Sequence, residues 1–119
     1  ILVTVDTSMG FDAGDTYPYI LLLRGSTSIA VGTSASGVQV NTFMSATNYP
    51  PTTASQYKMA TVSKTILDSP STTDATTYKI QFAQPHGGDT GYLNRVGHTG
   101  NQVYVQFPSS SITLIEIGA

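Results

Sequence analysis

The chain has 119 residues, enough for one domain with its own core, and no cysteine. Only 10% of residues are charged, net charge is −2, and five Lys/Arg are too few for the basic stripe of a nucleic-acid binder. No stretch approaches the ~20 apolar residues of a membrane helix, so membrane insertion is not expected. About a quarter of the chain is Ser or Thr, a bias that suits strands and turns.

Apolar residues recur with period two and give no helical stripe. Ile1 to Val5 reads as a strand, followed by a loop from Asp6 to Thr16. The chain opens inside this apolar segment on Ile1, so further sequence is expected upstream. Tyr17 to Arg24 is a strong strand, and its Ile20-Leu21-Leu22-Leu23 run predicts cover on both faces. Gly25-Ser26 predicts a tight hairpin to a strand over Thr27 to Thr33. Further strands are expected at Val38 to Ser45 and Gln56 to Leu67, separated by the breaker Asn48-Tyr49-Pro50-Pro51. Asp68-Ser69-Pro70 ends the second of these. Thr77 to Gln84 alternates, with Tyr78, Ile80 and Phe82 on one side. Gly91 to Arg95, Val103 to Phe107 and Ser111 to Ile117 complete the set. About eight or nine strands, with turn signals roughly every 8–12 residues and no βαβ alternation, predict one all-β antiparallel sandwich or barrel.

Several groups of residues carry potential chemistry. A serine triad needs Ser, His and an acid in space, yet the only histidines, His86 and His98, lie beside glycines in turns, and no G-x-S-x-G elbow occurs. His86, Asp89 and His98 flank one short strand and could converge on zinc. Asp6, Asp12 and Asp15 could offer oxygens to calcium, although without an EF-hand pattern. The plainer readings are exposed loop histidines and an Asp/Gly turn. Glu116 is the only glutamate, so paired-carboxylate glycosidase chemistry is poorly supported. These counts argue against a carbohydrate-cleaving or metal-dependent enzyme, and no cofactor is expected.

Glu116 shares a period-two face with Ile112 and Leu114. A carboxylate on an apolar face needs a partner. Arg95 and Arg24 are the candidates, and a buried or subunit-bridging Glu116–Arg95 pair is expected; the plainer reading is a frayed strand end in water. Of the seven tyrosines, most fall in expected strands, as packing residues. Tyr49 and Tyr57 flank the proline breaker and are the surface candidates. The expected contact positions, all on loops, are Asp12, Tyr49, Pro51, Thr53, His98 and Asn101.

The motifs Ile66-Leu67-Asp68-Ser69-Pro70, Thr76-Thr77-Tyr78-Lys79-Ile80-Gln81-Phe82, Gly91-Tyr92-Leu93-Asn94-Arg95 and Ser110 through Ile117, in this order, resemble a phage virion module. The likeness is to the C-terminal domains of tail-fibre-like and other structural proteins of marine tailed phages, cyanophages especially, and runs over nearly the whole chain. It implies a jelly roll similar to tumour-necrosis-factor and complement-type domains, spanning 1–119 without its first strands and closing as a homotrimer on the virion surface. It brings no catalytic residue. The implied role is a non-enzymatic fibre or fibre-tip domain that contacts other virion proteins and a host glycan or protein. A capsid decoration protein is the alternative. Apolar residues on both sides of Tyr19 to Leu23 and of Leu114 to Ile117 also favour an oligomer, since monomers rarely expose such patches.

Overall fold

The computed structural model describes residues 1–48 and 51–118. It is all-β apart from one 3-10 turn of helix at Thr53–Tyr57. The strands are β1 (Leu2–Gly10), β2 (Tyr19–Arg24), β3 (Thr27–Ile29), β4 (Met44–Ser45), β5 (Met59–Leu67), β6 (Tyr78–Ala83), β7 (Tyr92–Leu93) and β8 (Ser111–Ile115). They form two four-stranded antiparallel sheets in a sandwich-like arrangement.

Each sheet is built around one central strand. β1 pairs along its whole length with β5, and its other side is shared by β8 at one end and β7 at the other. β2 pairs along its whole length with β6, and its other side is shared by β3 and β4. Between the sheets lies one buried cluster: Val3, Val5 and Met9 from β1, Ile20 and Leu22 from β2, with Phe11, Phe43, Met44 and Ala46. Val62 and Ile66 of β5 and Ile80 and Phe82 of β6 extend it. Strand alternation explains the choice, because every second side chain of β1 points inward.

β1 runs through Gly10, past the Asp6 where the sequence suggests a loop. Polar residues on its outer face disguise the strand: Thr4 Oγ1 bonds Thr65 Oγ1 at 2.9 Å and Ser8 Oγ bonds Thr61 Oγ1 at 3.1 Å. One inward position of β5 is charged. Lys64, opposite Val5, extends its stem so that Nζ donates to the Phe43 carbonyl at 3.2 Å and lies 4.6 Å from the Phe43 ring centre.

The hairpin forms as expected, with Arg24 opposite Thr27 and Gly25 at a φ of 61° that L residues rarely adopt. β2 is covered mainly on one face: Ile20 and Leu22 are buried, while Tyr19, Leu21 and Leu23 are half-buried. The run therefore marks a strand but not a doubly covered one. Of Thr27 to Thr33 only Thr27–Ile29 is strand, and of Gly91 to Arg95 only Tyr92–Leu93. Two further expected strands are largely or wholly lost. Of Val38 to Ser45 only Met44–Ser45 is strand, because Ser36 to Gln39 closes a turn and leaves Val38 fully exposed. Val103 to Phe107 is not strand, because the Val105 N–H donates to the Gln102 carbonyl at 3.0 Å and turns the chain locally.

Candidate functional site

β1 has two unlike ends. At its Gly10 end three loops meet. Phe11 to Pro18 follows β1 directly. Thr16 forms an isolated bridge to Asn48, whose side-chain Nδ2 donates to the Gly14 carbonyl at 3.3 Å. Asn48 Oδ1 accepts from Ser55 Oγ at 2.9 Å, and both residues are buried. The Thr52 N–H donates to Ser55 Oγ at 3.1 Å, which fixes the start of the 3-10 turn. The third loop joins through His98, whose N–H donates to the Gln56 carbonyl at 2.9 Å. Its Gly97 lies so close to Phe11 that a Cβ there would strike the Phe11 carbonyl. Asp12, Pro51, Thr53, His98 and Asn101, far apart in sequence, thus belong to loops of one end. Tyr49 lies outside the described residues.

Asp12 is an organiser of this end. Its Oδ1 accepts from the Ala13 N–H at 2.7 Å and its Oδ2 from the Thr90 N–H at 3.3 Å. His86 Nδ1 meets Asp89 Oδ2 at 2.6 Å, but His98 is elsewhere, packed against Tyr57 and Tyr104. Asp6 lies on the strand itself, with Oδ2 3.4 Å from Ser111 Oγ. Among the described residues no group of three or more His, Asp or Glu side chains gathers to hold a metal, so neither the zinc nor the calcium set assembles.

At the other end of β1 the strands are open to solvent. Arg24 donates from one guanidinium nitrogen to both Asp68 oxygens at 2.9 and 3.0 Å, and the Tyr78 hydroxyl donates to Asp68 Oδ2 at 2.6 Å. Ile1 and Asp68 exchange backbone hydrogen bonds of 2.8 and 2.9 Å. One aspartate therefore ties β1, β2, β5 and β6 together. Burial, then the Asp68 hydrogen bond and the Asp68 charge, push the Tyr78 hydroxyl up from 10.0 to about 12, against the opposing Arg24 charge.

The expected Glu116–Arg95 pair does not form within the chain. Glu116 follows β8, whose Ile115 lies opposite Leu2, whereas Arg95 lies beside Gly10 at the other end. Eight strand steps, roughly 27 Å, separate those ends. Arg95 Nε donates to the Val96 carbonyl at 3.1 Å, and its guanidinium carbon is 4.9 Å from the Tyr92 ring centre. Arg24 is taken by Asp68. Glu116 is exposed and has no ion-pair partner among the described residues. It lines a groove of about 470 Å³ with Ile1, Pro70, Tyr78 and Leu114.

The ladder fixes which edge of β8 is free. Because Ile1 and Asp68 bond each other, odd residues of β1 bond β5 and even ones bond β8. Ser111, Thr113 and Ile115 thus face β1, while the peptide groups of Ile112 and Leu114 point away from it. Among the described residues β8 pairs with β1 alone. Ile112, Leu114, Ile115 and Ile117 are exposed, and Leu67, in the same cross-strand row as Leu2 and Ile115, is 67% exposed.

Comparison with known proteins adds no relative: no family model, no curated protein and no solved structure matches the chain.

Proposed function

We propose that the chain is a non-enzymatic structural module of a tailed-phage virion, a jelly roll that closes as a homotrimer on the particle surface, at a fibre or fibre tip, and presents its loop end to the host. The observation that carries this reading is the bare β8 edge. A strand with apolar side chains on both faces and outward peptide groups associates with whatever strand or surface it meets. Such an edge is kept in water only when further strands cover it, from elsewhere in the protein or from another copy, and we assign that cover to a second copy. Two four-stranded antiparallel sheets also match the strand count of a jelly roll. The loops at the Gly10 end are pinned to a rigid scaffold, the usual arrangement for recognition.

Light scattering on the purified full-length protein tests the reading. The expected mass is that of three chains, and Leu114→Asp is expected to reduce it to one chain without unfolding it. A stable monomer before substitution contradicts the proposal. Imaging of the intact particle then separates the two virion sites: a few trimers at fibre ends support attachment, whereas many copies on the head identify a decoration protein.

A further inference from the structure

Three aromatic rings from three segments meet at the loop end. Tyr57 closes the 3-10 turn, His98 lies on the loop after β7, and Tyr104 follows in the charge-free stretch that leads to β8. Ring centres are 4.8 Å apart for Tyr57 and His98, 5.2 Å for Tyr57 and Tyr104, and 6.0 Å for His98 and Tyr104. The cluster is held in place. The His98 N–H donates to the Gln56 carbonyl, and its Nδ1 lies 3.4 Å from Gln56 Oε1. Gly100 packs so closely that a Cβ there would come within 2.6 Å of His98 Nε2.

Tyr57 and Tyr104 pack together yet remain 41% and 46% exposed, which leaves ring surface open to a ligand. Asn101 and Gln102, between His98 and Tyr104 in the chain, line a groove of about 290 Å³ with Thr99, Gly100, Val105 and Phe107; the three rings do not line it but flank its residues in sequence, and its size suits a single small ring. From Val96 to Ile115 the sequence has no Asp, Glu, Lys or Arg. Half-exposed aromatic rings beside a charge-free amide loop, with Lys58 next to Tyr57 as the one charged sequence neighbour of the three rings, suit one chemistry. The C–H face of a pyranose packs on a ring, and its hydroxyls exchange hydrogen bonds with amide side chains. A phosphate or uronate meets no lysine or arginine in this stretch, and single-stranded nucleic acid needs a positively charged groove as well as stacking.

We propose that Tyr57, His98 and Tyr104, with the amides of the Thr99–Gln102 loop, form a binding site for a neutral sugar ring. The proposal deepens the attachment reading and depends on it only for where the sugar comes from.

Saturation-transfer NMR on the folded chain tests it, with the methyl glycosides of glucose, galactose and mannose as probes and methyl glucuronate, as its carboxylate, as the charged control. Transfer to ring C–H protons of at least one neutral glycoside is expected. Tyr57→Ala and Tyr104→Ala should each weaken binding about tenfold, while Tyr57→Phe and Tyr104→Phe should retain it. Tyr104 lies outside every strand, so its variants test the site even if Tyr57→Ala unfolds the 3-10 turn. Absence of transfer from all three neutral sugars, undiminished binding in Tyr104→Ala, or equal binding of the glucuronate overturns the site. Labelled protein is added in parallel to marine cyanobacterial cells. Adherence without sugar transfer overturns the sugar site and leaves attachment standing, whereas sugar transfer without adherence upholds the site and removes the attachment reading.

Discussion

The two ends of β1 solve opposite problems with the same strand. At Gly10, loops press against backbone so closely that glycine is the only side chain that fits: a Cβ on Gly10 would strike the Arg95 carbonyl, and one on Gly97 the Phe11 carbonyl. Polar side chains there are spent inside the protein: Ser55 Oγ donates to Asn48 Oδ1, and Asn48 Nδ2 donates to the Gly14 carbonyl. At Leu2 the strands end in a cross-strand apolar row, Leu67–Leu2–Ile115, and a groove whose wall includes Leu114. At the first end the loops close on one another through backbone contacts and hydrogen bonds; the second leaves an open strand edge with its apolar side chains and peptide groups uncovered. The lesson is that exposed apolar residues inform only when their neighbours are known. Val38 is fully exposed in a turn that closes on itself, but Ile112 and Leu114 belong to an open ladder.

The contrast can be broken most sharply at Gly97. Gly97→Ala should cost roughly 2–4 kcal/mol, because the clash is with backbone that cannot rotate away. Denaturant unfolding measures it, and a cost below about 0.5 kcal/mol would mean that the loop end is looser than described. Asp68→Ala comes next. It removes the shared acceptor of Arg24 and Tyr78 and should cost about 2 kcal/mol, moderated by the partial exposure of Arg24.

A smaller effect sharpens the same network. The Tyr78 hydroxyl is raised in the folded protein, so between pH 10 and about 12 the unfolded chain loses this proton while the folded chain keeps it. The stability tied to it is present below pH 10 and declines as pH rises through that window. Tyr78→Phe should flatten this part of the pH profile, and an unchanged slope in the variant would remove the phenol from the account. Smallest of all, Leu67→Ser should shift the stability of the single chain by less than about 0.5 kcal/mol, since Leu67 is already in water there.

Much of the fold was legible in the sequence. The Ile20-to-Leu23 run, the Gly25 hairpin and the Tyr78–Ile80–Phe82 alternation report local backbone chemistry and burial on one face, which neighbours in sequence record. The second half of β1 was hidden because Asp6, Thr7 and Ser8 read as a polar loop, and only cross-strand partners fifty or more residues away make them a strand. Val103 to Phe107 has strand composition without a strand partner. Glu116 invited an arginine because it shares a period-two face with Ile112 and Leu114, but that face is exposed at this end of β8. The register that puts Arg95 at the far end of β1, and gives Arg24 to Asp68, is a long-range property that no local pattern records. Tyr57 was marked by its place beside the proline breaker, but its meeting with His98 and Tyr104 depends on three loops folding together.

Oxidative footprinting of the protein in its assembled form compares the two ends in one experiment. Ile112, Leu114, Ile115 and Leu67 are expected to be protected relative to the dissociated chain, while Tyr57 and Tyr104 remain fully reactive. Reactive β8 residues beside protected tyrosines would reverse the two ends and contradict the account.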